Sequence, residues 1–200
     1  MSSIVEFLKD RHKSETCYIV GKGPSLGHLT ADYFGVGPVI TMNESILAVQ
    51  ELGLNNLIYS LQKDGCGILS EHSECIVQAP NYQQMIRPKN NISVFLQGGY
   101  ADYCLADYPN RYVFDLYEDF GFSTPQTVSL RIAIAIAKLM DVLNIVLLCC
   151  DSLATGNLDT YSFGNPIADI SQGSYIHAVP LVEKDLASIP HSFVTPGRIS

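Results

Sequence analysis

The stretch CYIVGKGPSL, residues 17 to 26, joins a short apolar run to a turn with two glycines, a proline and a serine. An apolar run that ends in turn residues is typical of a buried strand. Gly21 and Gly23 allow tight backbone conformations, and Pro24 suits the first turn of a helix. The stretch therefore predicts a strand, a tight turn and a helix start, the order that begins a Rossmann-like sheet.

Six further apolar runs fit strands. Several of them lack the polar alternation of a half-exposed strand, as expected for parallel strands that are buried on both faces. They are PVITM (38–42), NLIYSL (56–61), ECIVQA (74–79), ISVFL (92–96), YVFDL (112–116) and IVLLCC (145–150).

Helical patterns lie between these runs. We expect helices over residues 3–12, over 44–53 with Asn43 as a candidate cap, and over 124–144. The last is apolar on all sides, so it should lie against the sheet and beneath another element. The mixture predicts an α/β fold: one Rossmann-like domain over residues 1–200, with a mostly parallel sheet flanked by helices and a loop-rich excursion at about 62–111.

Composition narrows the class of protein. A chain of 200 residues with 47% hydrophobic content can enclose one core, and a net charge of −8 without a basic run argues against a nucleic-acid partner. The longest uncharged apolar stretch, residues 142–150, is far shorter than the ~20 residues of a membrane-spanning helix. We expect a cytoplasmic protein with no transmembrane segment and with reduced cysteines.

The glycine turn is a candidate phosphate site, because ligands of open parallel sheets bind beyond the carboxyl ends of strands. The backbone of Gly21, Lys22, Gly23 and Pro24, with the amide and hydroxyl of Ser25, could hold the phosphate of a nucleotide. The turn is neither a Walker A loop nor a GxGxxG motif. A strand-to-helix turn without a ligand is the alternative.

Two other polar residues follow apolar runs directly. Asn43 comes after PVITM, and Asp151 comes after IVLLCC. If these strands adjoin the first one, both residues line the same crevice as the glycine turn. A helix cap at Asn43 and a turn former at Asp151 are the alternatives.

The segment GKGPSL (21–26) resembles the GxGPSL signature of two groups. One is the bacterial sialyltransferases of the Campylobacter and Pasteurella-type lipooligosaccharide group, glycosyltransferase family 42. The other is the archaeal 6-hydroxymethylpterin pyrophosphokinase-like proteins of the domain-of-unknown-function 115 class. Four later matches favour the sialyltransferases: Asn43 in VITMNES, Ser129 in TVSLRIAIAIAKLMDVLN, Tyr161 in DTYSFG and His177 in SYIHAVPLVEKDL.

The resemblance implies a metal-independent sialyltransferase-like enzyme whose donor substrate is a CMP-sugar and whose acceptor is a hydroxyl group of a glycan. Asn43 and Ser129 would bind the nucleotide, and Tyr161 would stabilise the departing phosphate. His177 would act as general base. The resemblance implies no cofactor, and it implies that the protein forms a homo-oligomer.

Two departures from the family keep other functions open. Lys22 stands where the family has asparagine, so it could pair with phosphate instead, and Leu153 falls near the position of a second tyrosine. The first alternative is a pyrophosphokinase-like transferase that uses ATP and magnesium, with Asp64 and Asp151 as the candidate carboxylates. The second is a nucleotide-binding protein without turnover.

Overall fold

The computed structural model describes residues 4–63, 87–98, 105–122, 128–151, 153 and 169–197, with side chains of the last range from Ala178 onward. Seven strands form one sheet in which every neighbouring pair is parallel. The predicted α/β class with a parallel sheet is therefore confirmed. The strands are β1 (Thr16–Val20), β2 (Val39–Met42), β3 (Ile58–Gln62), β4 (Ser93–Gln97), β5 (Arg111–Phe114), β6 (Asn144–Leu148) and β7 (His191–Val194).

The strand order is β5-β4-β3-β2-β1-β6-β7. Successive strands extend the sheet in one direction from β1 to β5, and the chain then crosses back to place β6 on the other side of β1. The order thus reverses between β1 and β6. Such a reversal opens a crevice at the carboxyl ends of the strands, where open α/β sheets bind ligands.

Four helices in the described part of the chain accompany the sheet: α1 (Ile4–Leu8), α2 (Ser45–Val49), α3 (Ser129–Leu139) and α4 (Asp169–Leu186). Two short 3₁₀ turns follow β1, at Pro24–His28 and Ala31–Tyr33. Within the described residues, no helix combines the length and the apolar character needed to cross a membrane.

Helix α3 packs against β1, β2 and β3 on one side and against α4 on the other. Both of its faces are buried, as Ile132 and Ile134 show with no exposed surface. On the α4 side, Arg131 donates through Nε to Asp185 Oδ2 at 2.6 Å. The prediction from its all-round apolar pattern is therefore confirmed.

Left-handed residues end two elements earlier than the sequence predicted. The predicted helix ran to residue 144, but α3 ends at Leu139 and Asp141 adopts a φ of 56°. The predicted strand ran to residue 150, but β6 ends at Leu148 because Cys149 has a φ of 57°. Apolar composition alone does not reveal such a reversal, because the run LLCC stays buried through it.

The excursion predicted at residues 62–111 contains β4, which matches the predicted strand 92–96 closely. The predicted strand 74–79 lies outside the described residues. Strand β7 was not predicted. It is an edge strand whose first three residues are exposed, so its sequence lacks a buried apolar run.

Candidate functional site

The carboxyl ends of β2, β1 and β6 lie side by side. Val20 at the end of β1 pairs with Thr41 of β2 and with Leu148 of β6. The turns that follow these strands, residues 21–25, 43–45 and 149–151, therefore meet at one edge of the sheet, as the sequence predicted for neighbouring strands.

Buried polar side chains concentrate at this edge. Of the buried polar or charged residues in the described part of the chain, only His12 lies toward the amino ends of the strands, and Thr41 and Ser60 lie within strands. Every buried side-chain nitrogen and oxygen among the described residues has a hydrogen-bond partner. Burial of polar groups costs free energy unless they are paired, as these groups are. The buried polar residues of this edge, which form its polar network, are Lys22, Ser25, Asn43, Ser45, Gln62 and Asp151.

The glycines of the turn are required by close packing against the chain that follows β6. A Cβ on Gly21 would lie 2.5 Å from the carbonyl oxygen of Cys149, and one on Gly23 would lie 1.9 Å from Asp151 Oδ2. The backbone N–H of Gly23 donates to the Cys149 carbonyl at 2.9 Å. The two glycines therefore bring the turns after β1 and β6 into direct contact.

Ser25 and Asp151 bond to each other across this contact. The hydroxyl of Ser25 donates to Asp151 Oδ2 at 2.8 Å, and its backbone N–H donates to the same oxygen at 3.4 Å. Both residues are buried. In this structure a carboxylate of the chain itself thus occupies the donors that the sequence suggested for a phosphate.

Lys22 forms a buried ion pair on the other side of the turn. Its Nζ lies 2.7 Å from Glu44 Oε2, and the two side chains are 7% and 19% exposed. The pair ties the turn after β1 to the residue at the start of α2. Glu44 was not singled out from the sequence, because the i to i+22 spacing of this pair follows only from the strand order.

Asn43 connects three elements of the edge. Its Nδ2 donates to Ser129 Oγ at 3.4 Å, and its Oδ1 accepts the backbone N–H of Lys63 at 3.2 Å. It has a φ of 52°, a left-handed conformation that asparagine tolerates better than most residues. The alternative of a helix cap does not hold, because Glu44 is the N-cap of α2.

Ser129 is the first residue of α3, as the resemblance implied. The N-cap residue, Val128, provides no side-chain cap hydrogen bond to the first amides of this eleven-residue helix. Helix starts of this kind attract anions through their N–H groups and the helix dipole. The Asn43–Ser129 pair thus joins an amide side chain to an anion-attracting backbone.

Cys149 is fully buried beside this network in a left-handed conformation, which is rare for a residue other than glycine, asparagine or aspartate. Burial raises the pKa of its thiol to about 12, although a hydrogen bond with Ser25 acts in the opposite direction. The thiol is therefore neutral at physiological pH. Cys17, Cys149 and Cys150 are all free and buried.

The side chains of the two residues predicted to act in catalysis, Tyr161 and His177, lie outside the described part of the structure. Tyr161 lies outside the described residues, as does Asp64. His177 lies in α4, where the backbone alone is described. It precedes Asp185 by two helical turns, a rise of about 12 Å. Because α4 leads into the amino end of β7, the backbone of His177 lies nearer the carboxyl ends of the strands than the Arg131–Asp185 contact does. Leu153 is half-buried and packs against the main core.

A small pocket lies beside the Ser25–Asp151 contact, and the sequence predicted only part of its lining, namely Pro24, Ser25 and Asp151. It has a volume of about 190 Å³ and lies at the carboxyl ends of β1, β6 and β7. His28 and Thr195 line it, and neither carries a sequence signal, because β7 itself was not predicted.

Comparison with known proteins gives similarity at the level of structure. No family model matches the sequence, and a search of curated proteins finds no match. The chain is similar to the sialyltransferase CstII from Campylobacter jejuni in complex with cytidine-5'-monophosphate, with a TM-score of 0.47 and 14% identity over 94% of this chain and 82% of that chain.

A second similar structure is that of the sialyltransferase CST-II in complex with a trisaccharide acceptor and CMP. Its TM-score is 0.48, with 12% identity over 92% of this chain and 83% of that chain. Both are structures of sialyltransferases, the group whose signature the segment GKGPSL resembles.

Proposed function

We propose that this protein is a metal-independent glycosyltransferase that transfers a sugar from a CMP-sugar to a hydroxyl group of a glycan. The observation that carries the proposal is the part-buried Asn43–Ser129 pair at the carboxyl ends of adjacent parallel strands, beside the start of α3. This is the position at which open parallel sheets bind nucleotides.

The chemistry of this pair suits a nucleotide. A pyrimidine base carries amide-like donors and acceptors, so it can exchange hydrogen bonds with the Asn43 amide and the Ser129 hydroxyl. The first turn of α3, whose N-cap residue makes no side-chain cap hydrogen bond, suits the phosphate. In this proposal the crevice is shaped by Gly21, Gly23, Pro24 and the Ser25–Asp151 contact. The Lys22–Glu44 pair holds the base of the crevice in place.

The transfer step assigns one role to each remaining residue. His177 accepts the proton of the acceptor hydroxyl as that oxygen forms its bond to the anomeric carbon. The bond from that carbon to the phosphate oxygen breaks, and CMP departs with the electron pair. Tyr161 donates a hydrogen bond to the phosphate as its charge develops.

The proposal is tested first by nucleotide binding. Thermal shifts are measured with CMP, CDP, UDP and ATP, each with and without magnesium. We expect CMP to raise the melting temperature without magnesium, and we expect Asn43→Leu to remove the effect. A shift with ATP that requires magnesium would instead support the pyrophosphokinase-like alternative.

Turnover is tested with His177→Ala, for which His191→Ala is the matched control because His191 is an exposed histidine on the edge strand. We expect release of CMP from the donor to fall by about 10²- to 10⁴-fold in His177→Ala while CMP binding is retained. Full activity in that variant would remove His177 from the role of base.

A nucleotide-binding protein without turnover is the second candidate. It is favoured by Leu153, which packs against the core near the position where the resembling enzymes have a tyrosine. Multiple turnovers with a CMP-sugar would exclude this candidate.

A further inference from the structure

The pocket next to the glycine turn differs in chemistry from the Asn43–Ser129 side of the edge. It lies on the β6 and β7 side of β1, whereas Asn43 follows β2 on the opposite side. With a volume of about 190 Å³, it offers room for a group the size of one monosaccharide residue. Its lining consists mainly of Pro24, Ser25, His28, Asp151, Thr195 and Pro196.

Charge disfavours a phosphate in this pocket. Asp151 places a buried carboxylate in its wall, and the amide and hydroxyl donors of Ser25 already bond to that carboxylate. Among the residues that the structure describes, no lysine or arginine contributes to the lining. An anion would meet a like charge at short range in a partly desolvated site, where repulsion is strong.

An uncharged sugar suits the same lining. Sugar hydroxyl groups both donate and accept hydrogen bonds, and the imidazole of His28 and the hydroxyl of Thr195 can do the same. Pro24 and Pro196 add apolar surface that can contact the C–H face of a sugar ring. A few polar groups that fix orientation within an apolar wall are typical of small-molecule sites.

Glycine backbone fixes two of these polar groups in place. A Cβ on Gly23 would lie 1.9 Å from Asp151 Oδ2, and a Cβ on Gly197 would lie 2.7 Å from the Cγ atom of His28. Gly197 has a φ of 77°, and its N–H donates to the hydroxyl of Tyr33 at 3.4 Å. The turn after β7 therefore packs against His28, and the two together form one wall of the pocket.

We propose that this pocket binds an uncharged sugar residue of the acceptor. The inference rests on the proposed glycosyltransferase function. It adds that the two substrates bind at different parts of the carboxyl-end edge of the sheet. The nucleotide occupies the side of Asn43 and Ser129, and the acceptor occupies the side of His28, Asp151 and Thr195. The Gly21–Ser25 turn separates the two.

The test measures sugar binding by saturation-transfer NMR at pH 7.5 with methyl β-galactopyranoside and methyl α-glucopyranoside, and it measures binding of inorganic phosphate by broadening of its phosphorus NMR line. Each ligand is tested with and without saturating CMP. The pocket variants are His28→Phe and Thr195→Val. Their matched controls are His191→Phe and Thr30→Val, which change exposed residues outside the pocket.

We expect at least one methyl glycoside to bind, and we expect each pocket variant to weaken that binding by about fivefold or more, as the loss of one hydrogen bond requires. The controls should bind the glycoside as the unchanged protein does, and all four variants should retain CMP affinity. Folding of each variant is checked by its melting temperature.

Two results overturn the proposal. In the first, CMP binds but neither glycoside does, which removes the sugar pocket and leaves the nucleotide proposal intact. In the second, inorganic phosphate binds and His28→Phe abolishes its binding, which makes the pocket an anion site. Glycoside binding that depends on the pocket, in a protein that does not bind CMP, would support the pocket and contradict the proposed function instead.

Discussion

The two ends of the parallel sheet differ in what they bury. At the amino ends, residues 34–37 and 53–57 line an open groove of about 620 Å³, where Val36 and Leu57 are 88% and 54% exposed. At the carboxyl ends, the pocket beside Ser25 has a volume of only about 190 Å³. Yet among the described residues six buried polar side chains lie at the carboxyl ends, and one, that of His12, lies toward the amino ends.

The chemistry of a cleft, rather than its volume, therefore marks the candidate site. Polar contacts at the amino ends include those of Asn56, whose Nδ2 donates to the carbonyls of Gly35 and Gly37, and the hydrogen bond between His12 and the Tyr59 hydroxyl. At the carboxyl ends, side chains from turns after three strands converge. Burial of that many polar groups is costly, and it is expected where a ligand must be recognised.

The largest effect is expected from a pair of glycine variants that separates the two ends. A Cβ added to Gly21 would lie 2.5 Å from a backbone oxygen, and one added to Gly37 would lie 1.9 Å from a backbone oxygen. Gly37 in addition has a φ of 135°. We expect Gly21→Ala and Gly37→Ala each to lower the free energy of unfolding by about 3 kcal/mol, because overpacking against backbone forces the chain to shift. Urea unfolding measures this cost.

Nucleotide binding should distinguish these two variants. Gly21→Ala should also weaken CMP binding, whereas the folded fraction of Gly37→Ala should bind CMP normally. Gly27→Ala is the control, since nothing lies within 4 Å of its added Cβ. Loss of CMP affinity in Gly37→Ala would break the distinction between the ends.

The buried ion pair at the carboxyl ends gives the next effect. Lys22→Met leaves the Glu44 carboxylate without its lysine partner, and we expect a loss of about 2 kcal/mol, below the value for a fully buried pair because Glu44 is 19% exposed. The double variant Lys22→Met with Glu44→Gln should recover most of that loss. Equal losses in the single and double variants would show that the pair does not hold the turn in place.

Alkaline pH provides a smaller and graded test. Burial raises the pKa of Cys149 from 9.0 to about 12, so above pH 9 the unfolded chain releases this thiol proton while the folded chain keeps it. Stability should therefore fall as pH rises from 9 to about 12, by up to about 1.4 kcal/mol per pH unit for this thiol. Below pH 9 its contribution is constant.

The measurement compares Cys149→Ala with the unchanged protein by urea unfolding on both sides of pH 9. The variant should show a shallower decline, with the remaining slope from other groups that include Cys17 and Cys150, whose pKa values burial also raises. An identical decline in both proteins would mean that the Cys149 thiol reaches solvent.

Much of the fold could be predicted from the sequence, because parallel strands that are buried on both faces leave apolar runs such as CYIV and IVLLCC. Strand β7 could not, because an exposed edge strand needs no such run. The element ends at Leu139 and Leu148 depend on the left-handed residues Asp141 and Cys149 that follow them. Aspartate tolerates this conformation but adopts others as readily, and cysteine gives no signal for it.

The candidate site was predictable in its location and not in its contacts. Asn43 and Asp151 each follow an apolar run, which is enough to predict the edge on which they lie. The Ser25–Asp151 and Lys22–Glu44 contacts depend on strand order and register, which bring residues 126 and 22 positions apart into contact. One expectation changed as a result: the donors of Ser25 bond to a carboxylate of the chain.

Hydrogen–deuterium exchange with and without CMP compares both ends of the sheet in one experiment. We expect CMP to slow exchange of the amides in residues 21–25, 43–45 and 128–131 and to leave residues 34–37 and 54–57 unchanged. Slower exchange confined to the latter two segments would place the nucleotide in the amino-end groove and contradict the account.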